Sequence, residues 1–194
     1  AYFSGSELYG KTLGIIGFGR IGSEIAKRAK IFGMNVMVFD PFLNEERANS
    51  EGVLNTTFNE VLAGSDIITV HTPLNQHTKW LLNEDTISIT KSGVRLINCA
   101  RGGIIKESAL LEALETGHVA GAALDVFEVE PPINSRLVDH PAVITTPHLG
   151  ASTKEAQLRV AQQIAQEILR FAKGENLTSA LNFNDVNEKA LVLS

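Results

Sequence analysis

A glycine-rich stretch near the start of the chain, residues 12–22 (T-L-G-I-I-G-F-G-R-I-G), limits the possible folds more than any other part. A short apolar run ends in the pattern G-x-G-x-x-G, and residues with helical periodicity follow it. Strand, glycine turn and helix in this order are typical of a dinucleotide-binding site. We expect Gly17 to allow the turn, Gly19 to let the backbone approach a pyrophosphate, and Gly22 to let the helix pack against the strand. The phosphates would bind at the helix N-terminus, where the helix dipole favours negative charge.

An acidic residue follows the second apolar run at the spacing that such a site uses. Asp40 lies directly after Asn35–Phe39 and 18 residues beyond Gly22, close to where a carboxylate accepts hydrogen bonds from the adenosine ribose. An Asp before Pro41 is also common in ordinary turns, so the residue alone does not decide between the two roles. At this spacing we favour the ribose role. Because a carboxylate repels a 2′-phosphate, we expect NAD rather than NADP.

Apolar runs and helical patterns alternate through most of the chain. We predict strands at residues 12–17, 35–39, 52–57, 66–71, 93–98, 119–126 and 142–146, and helices at residues 23–32, 45–51, 58–63, 106–116 and 152–173. Several strand patterns lack polar alternation, which is typical of strands buried on both faces of a parallel sheet. The pattern predicts an α/β fold, a doubly wound parallel sheet of the NAD(P)-binding Rossmann type. Ser152 and Glu155 have the spacing of a capping box at the start of the last helix.

Charge and composition argue against several other classes of protein. The net charge is −5 and no basic run occurs, which argues against a nucleic-acid-binding surface. No apolar stretch approaches the ~18–20 residues of a membrane span. The one cysteine, Cys99, cannot form a disulfide within the chain, which fits a reducing compartment. We therefore expect a cytoplasmic protein with neither membrane nor nucleic-acid partners, and we predict no metal site.

Three polar side chains are predicted to lie just beyond strand ends, where open α/β sheets bind ligands. Arg101 follows the strand at residues 93–98, Glu130 precedes a proline turn, and His148 follows the last strand. Such a histidine can exchange a hydroxyl proton during hydride transfer, a carboxylate can orient the imidazole, and an arginine can bind a substrate carboxylate. Spacing alone does not separate Glu130 from Glu128, and lone arginines are more often solvated.

The end of the strand at residues 66–71 is predicted to line the same site. Thr72 and Pro73 follow this strand directly, which places them beside a bound cofactor. His71 is still within the strand end. We therefore expect it to support the loop rather than to take part in the chemistry.

Five segments of the sequence together resemble one family of oxidoreductases. They are F-S-G-S-E-L-Y-G-K-T-L-G-I-I-G-F-G-R-I-G (residues 3–22), H-T-P-L (71–74), N-C-A-R-G-G (98–103), A-A-L-D-V-F-E-V-E-P (122–131) and P-H-L-G-A-S-T-K-E-A (147–156). In these segments, their order and their spacing, the sequence resembles the cofactor-binding domain of the D-isomer-specific 2-hydroxyacid dehydrogenases.

The resemblance implies roles for individual residues. Arg101 would bind the substrate, His148 would be the general acid and base, and Glu130 rather than Glu128 would be the partner of the histidine. The residues implied to contact or flank NAD are Arg20, Ile21, Asp40, Thr72, Cys99, Ala100, Asp125, His148 and Gly150. The predicted cofactor site also contains Gly17, Gly19, Gly22, Pro73 and Arg101.

The resemblance also implies a substrate class and an assembly. The run H-L-G-A-S-T-K-E-A favours the members that oxidise 3-phosphoglycerate to 3-phosphohydroxypyruvate with NAD, the first step of serine synthesis. Two alternatives stay open. One is a D-2-hydroxyacid dehydrogenase of the glyoxylate/hydroxypyruvate or lactate type, and the other is a non-enzymatic NAD-sensing module like the corepressors of the family. Cofactor domains of the family pair across two-fold interfaces, so we expect a homodimer or a higher homo-oligomer.

A domain organisation follows from the same resemblance. We assign residues 12–174 to the Rossmann-like NAD-binding domain, residues 1–11 to the exit of an N-terminal segment of a substrate domain, and residues 175–194 to a piece that returns to that domain. On this assignment the chain would bind NAD(H) but turn over substrate poorly, because half of the substrate cleft lies elsewhere. One departure from the family is Lys106, which stands where members often carry Asp and would weaken the start of the next helix.

Overall fold

The computed structural model of the chain describes residues 5–177. The chain divides into two compact units, one that ends at His148 and one that begins at Leu149. Among the helices of the described residues, none combines the length and the apolar character that a membrane span requires.

A parallel sheet of seven strands forms the centre of the first unit. Its strands are β1 (Thr12–Ile16), β2 (Asn35–Phe39), β3 (Leu54–Asn55), β4 (Ile67–Val70), β5 (Val94–Asn98), β6 (Val119–Leu124) and β7 (Val143–Thr145). Their order across the sheet is β3-β2-β1-β4-β5-β6-β7, and every neighbouring pair is parallel. The strand order reverses between β1 and β4, so a ligand crevice is expected at their carboxyl ends. The predicted doubly wound sheet is confirmed.

Helices cover both faces of this sheet. They are α1 (Arg20–Ile31), α2 (Glu45–Glu51), α3 (Phe58–Gly64), α4 (Glu84–Ser88) and α5 (Glu107–Glu115). Strand β1 shows how the two faces are filled, because Leu13 and Ile15 belong to one buried apolar cluster and Ile16 belongs to the other. Side chains that alternate along a strand point to opposite faces, so each face has its own core.

Two helix starts differ from the predictions. Helix α1 begins at Arg20, because Gly22 belongs to the helix rather than preceding it. Helix α4 was not predicted, because it has only 5 residues and is too short to show a helical period. Its start is fixed instead by Asn83, whose side chain accepts hydrogen bonds from the backbone N–H groups of Asp85 and Thr86.

The second unit contains helix α6 (Lys154–Ala172). The predicted Ser152 capping box is wrong by one residue, because the Thr153 hydroxyl is the group that accepts from Ala156 N, at 3.1 Å. None of the residues of α6 is buried.

Candidate functional site

The glycine turn between β1 and α1 has the geometry that the motif predicts. Gly17 has φ +96°, and a Cβ there would lie 2.6 Å from the His71 carbonyl oxygen. A Cβ at Gly22 would overlap Gly17 O, so the third glycine allows the close approach of helix and strand. Gly19 differs, because a Cβ there would meet nothing within 4 Å. Since Gly19 precedes α1 and makes no side-chain cap, the first N–H groups of this helix face a space that suits a phosphate.

Asp40 lies against this turn at the end of β2. Its Oδ2 accepts a hydrogen bond from Phe18 N at 2.6 Å, and its Oδ1 accepts one from Phe42 N at 2.8 Å. Because each carboxylate oxygen has two lone pairs, a second acceptor site remains on each one. The two backbone contacts hold the carboxylate in a fixed orientation beside the glycine turn.

The end of β4 contains a buried polar atom without a partner. Thr72 Oγ1 is inaccessible to solvent and forms no hydrogen bond to any residue that the structure describes. Such a buried hydroxyl suits a polar group of a bound ligand. The neighbouring His71, unlike Thr72, has a hydrogen-bond partner, because its Nε2 lies 2.9 Å from Thr69 Oγ1. Burial lowers the pKa of His71. A neutral, hydrogen-bonded His71 agrees with the predicted supporting role.

The loop after β5 is held by a buried asparagine. Asn98 Oδ1 accepts from Ala100 N at 3.0 Å, and Asn98 Nδ2 donates to Arg101 O at 2.9 Å. These two bonds fix the backbone that follows Cys99, at Ala100 and at Arg101. The Arg101 guanidinium is exposed and donates to Ala100 O at 2.6 Å, so most of its donors remain available to a planar anion.

Asp125 at the end of β6 is buried and joins two neighbouring strands. Its Oδ1 accepts from Thr146 Oγ1 at 2.5 Å, and its backbone N donates to Asn98 O at 3.0 Å. Partial burial raises the pKa of the Cys99 thiol, and the Asp125 carboxylate raises it further. A raised pKa disfavours the thiolate form of Cys99.

Glu130 and His148 form a hydrogen-bonded pair. Glu130 Oε2 lies 2.7 Å from His148 Nδ1, and Glu130 Oε1 accepts from Phe127 N at 3.1 Å. The hydrogen bond from His148 lowers the pKa of Glu130, and the bond from Phe127 lowers it further. An ionised carboxylate only accepts, so Nδ1 carries the proton and Nε2 is the nitrogen left for proton exchange.

The pair lines a cavity of about 490 Å³, together with Asp125, Phe127, Thr146 and Pro147. Glu128 is not part of it. Its carboxylate turns away and accepts from Glu107 N at 3.0 Å. Geometry therefore separates the two glutamates that spacing left open, in favour of Glu130.

The loop that carries Arg101 contacts the turn that ends in Glu130 through Gly102, whereas Arg101 itself is not among the residues that line the cavity. A Cβ at Gly102 would overlap the carbonyl of Phe127, so the loop after Arg101 packs directly on the turn that ends in Glu130. Arg20, Ile21, Pro73 and Ala100 lie at the carboxyl side of the sheet, as predicted, and Gly150 belongs to the second unit.

Comparison with known proteins decides which family this site belongs to. The family model "D-isomer specific 2-hydroxyacid dehydrogenase, NAD binding domain" matches residues 1–150. The chain belongs to this family. It is 72% identical over 180 residues to D-3-phosphoglycerate dehydrogenase of Bacillus subtilis and 53% identical over 180 residues to that of Homo sapiens. Each match covers 93% of this chain and 34% of the relative, so the chain spans about a third of the length of these relatives.

Solved structures of the family share the fold of this chain. A glyoxylate reductase from Paecilomyes thermophila has a TM-score of 0.83 at 39% identity, with 90% of this chain and 53% of that chain covered. A D-isomer specific 2-hydroxyacid dehydrogenase from Lactobacillus delbrueckii, in its NAD complexed form, has a TM-score of 0.82 at 32% identity, with 90% and 56% covered. The family and the Rossmann-like fold inferred from the sequence are confirmed.

Some residues of this dehydrogenase domain were not singled out in the sequence. Asn98 ends a predicted strand, although its side chain holds the Arg101 loop. Thr146 and Glu107 have no predicted role, and they contact Asp125 and Glu128. An Asn at a strand end before a glycine pair is a signal for a side-chain-bonded turn. The other two contacts join residues 21 apart and have no local signal.

Proposed function

We propose that this chain binds NAD and forms, within the whole polypeptide that carries it, the cofactor domain of a D-3-phosphoglycerate dehydrogenase. The observation that carries the proposal is the 2.7 Å contact between Glu130 and His148 in the wall of a cavity at the strand ends. The two curated relatives named above carry this activity in their names. The proposal extends that activity to this chain.

The residues around the glycine turn fit NAD. The free N-terminus of α1 would bind the pyrophosphate, Asp40 would accept from the adenosine ribose, and the buried Thr72 hydroxyl would gain the polar partner that it lacks. Pro73, Cys99, Ala100 and Asp125 would line the remainder of the groove. Asp40 also sets the choice of cofactor, since its charge opposes a 2′-phosphate.

The catalytic roles follow from which atoms remain available. NAD supplies the hydride acceptor when it is bound. His148 Nε2 would remove the hydroxyl proton of the substrate, while Glu130 holds Nδ1–H and stabilises the imidazolium that forms. Arg101 would bind the substrate carboxylate with its exposed guanidinium. It would also polarise the carbonyl group that forms as the substrate hydroxyl is oxidised. Each group thus supplies orientation, charge or a proton at a stated atom.

The proposal includes a homodimer or higher homo-oligomer and a cytoplasmic location. Apolar residues such as Ile164 and Ile168 are exposed on α6, which supports an assembly. The lone cysteine suits a reducing compartment. Sedimentation of the purified protein tests the first part, and a monomer at micromolar concentration contradicts it.

Fluorescence titration tests cofactor binding. The emission of NADH itself changes when the cofactor leaves water for a protein site, so a titration followed by NADH fluorescence reports binding. We expect saturable binding of NADH and binding of NADPH that is about tenfold weaker or more. Asp40→Ala should narrow that ratio, whereas Asp85→Ala, a carboxylate in α4, should leave it unchanged. Absence of saturable NADH binding contradicts the proposal.

A substrate panel on the intact protein tests the reaction. We expect NAD-dependent oxidation of D-3-phosphoglycerate with a higher kcat/KM than oxidation of D-glycerate or D-lactate. A preference for glyoxylate reduction instead identifies another dehydrogenase of the family. NADH binding without turnover of any 2-hydroxy acid supports the NAD-sensing module and contradicts the proposed activity.

A further inference from the structure

Residues 127–130, here named the glutamate turn, present Glu130 to His148. The turn closes on itself, because Glu130 Oε1 accepts from Phe127 N at 3.1 Å while Oε2 binds His148. The direction of the Phe127 N–H therefore determines how the carboxylate is presented. That direction depends in turn on the peptide groups on either side of Phe127.

The peptide group between Phe127 and Glu128 is fixed at both of its polar ends. Its carbonyl lies against Gly102, where no side chain fits. Its N–H donates to Glu107 Oε1 at 2.5 Å. In return, Glu128 Oε1 accepts from Glu107 N at 3.0 Å. Two glutamates thus exchange carboxylate-to-backbone hydrogen bonds between the start of α5 and the glutamate turn.

This exchange also explains how α5 begins without a local cap. Lys106 occupies the cap position and makes no side-chain hydrogen bond to the helix. Its ammonium binds Glu84 Oε1 instead, at 2.5 Å. The Glu128 carboxylate satisfies the first N–H of the helix from outside the helix, so the predicted weakness at Lys106 is offset by a distant residue.

The arrangement costs more than an ordinary cap. Burial raises the pKa of Glu107, and the nearby Glu128 carboxylate raises it further, against the effect of the Glu128 N–H. A Ser, Asp or Asn at the cap would start the helix without bringing two carboxylates together. What the exchange adds is a fixed distance between α5 and the glutamate turn.

We propose that Glu107 is a positioning residue for the Glu130–His148 pair. Its carboxylate accepts from the Glu128 N–H and so fixes the orientation of the peptide group between Phe127 and Glu128. That orientation in turn sets the direction of the Phe127 N–H, which donates to Glu130. This inference rests on the proposed function, since it assigns Glu107 a part in presenting the proposed acid–base pair.

Three variants at one position test the proposal. Glu107→Gln keeps an acceptor oxygen at the same reach, Glu107→Asp keeps the charge but shortens the side chain, and Glu107→Ala removes both. In the intact protein we expect Glu107→Gln to retain the parental kcat. Glu107→Asp and Glu107→Ala should lower kcat about tenfold and leave the KM for NAD unchanged. Glu84→Ala removes a carboxylate of α4 that contacts Lys106, the residue before Glu107, and it should leave kcat unchanged.

A carboxyl ¹³C titration supplies a second readout that helix stability alone does not change. In the parent protein, the hydrogen bonds from His148 and Phe127 lower the pKa of Glu130. This pKa should rise towards 4.5 in Glu107→Asp and Glu107→Ala, and it should stay unchanged in Glu107→Gln. Parental kcat and an unchanged Glu130 titration in Glu107→Ala overturn the positioning role. If the parent protein itself does not oxidise D-3-phosphoglycerate with NAD, the proposed function fails, so the two failures are distinguishable.

Discussion

Gly102→Ala should separate the substrate-binding loop from the acid–base pair. The added Cβ would meet the Phe127 carbonyl oxygen at roughly half of the ordinary contact distance of 3.4 Å. The Phe127 carbonyl belongs to the backbone, so no flexible side chain can move away from the added Cβ. The loop that carries Arg101 and the turn that carries Glu130 must therefore move apart by about 1.5 Å.

The size of this movement sets the expected loss. A misplacement of about 1 Å costs on the order of 100-fold in rate, so kcat/KM for D-3-phosphoglycerate should fall about 100-fold. Overpacking should cost about 1–3 kcal/mol of unfolding free energy. The glycine turn that would bind the pyrophosphate follows β1 and is a separate loop, so NADH binding should be retained, although it should weaken because Cys99 and Ala100 belong to the displaced loop and would line the cofactor groove.

Steady-state kinetics of the intact protein and NADH titration measure these effects. Gly14→Ala is the matched control, because its Cβ would overlap Ser65 Oγ inside the core and lies outside the loops of the site. It should lose comparable stability and retain catalysis in the folded fraction. Parental kcat/KM in folded Gly102→Ala would refute the proposed coupling between Arg101 and Glu130.

Two further predictions address the Arg101 loop and a helix cap. Asn98→Asp keeps the acceptor for Ala100 N but cannot donate to Arg101 O, so the KM for the hydroxy acid should rise about tenfold in steady-state assays while NADH binding is retained. Thr57→Ala removes the cap that accepts from Glu60 N at 3.3 Å and should cost about 1 kcal/mol in urea unfolding at pH 7. The hydroxyl of Thr56, then the hydroxyl and N–H of Thr57, lower the pKa of Glu60 to about 2. The stabilisation from this carboxylate is therefore complete above pH 4.5 and lost as the pH falls towards 2, and Glu60→Gln should flatten the stability curve in that window.

The fold could be predicted from the sequence because its local signals agree. The apolar runs, the glycine turn and the helix patterns each indicated the same alternation, and the bounds Asn35–Phe39 and Glu45–Glu51 agree with the structure. The helices that were missed or shifted are one that is too short, one that has two adjacent cap residues, and α1, which begins within the glycine motif. Helix α4 has no full period, and Thr153 competes with Ser152 for the same cap.

The position of a candidate residue in the fold was predictable where the residue follows a strand end, whereas its contacts with distant residues were not. Asp40 and His148 follow strand ends, so sequence order placed them at the correct edge of the sheet. The choice of Glu130 over Glu128 came from the family resemblance, because only the three-dimensional structure shows that Glu128 binds Glu107. Likewise, no sequence pattern indicates that Thr72 Oγ1 is buried without a partner.

The most direct test of the proposed mechanism is the turnover of His148→Gln in the intact protein. If His148 Nε2 moves the substrate proton, kcat for D-3-phosphoglycerate oxidation should fall on the order of 10²–10⁴-fold. NADH should still bind saturably, since the glycine turn and Asp40 would hold its pyrophosphate and ribose groups. A kcat within about threefold of the parent, with NADH binding intact, would contradict the assignment of His148 as the acid–base residue.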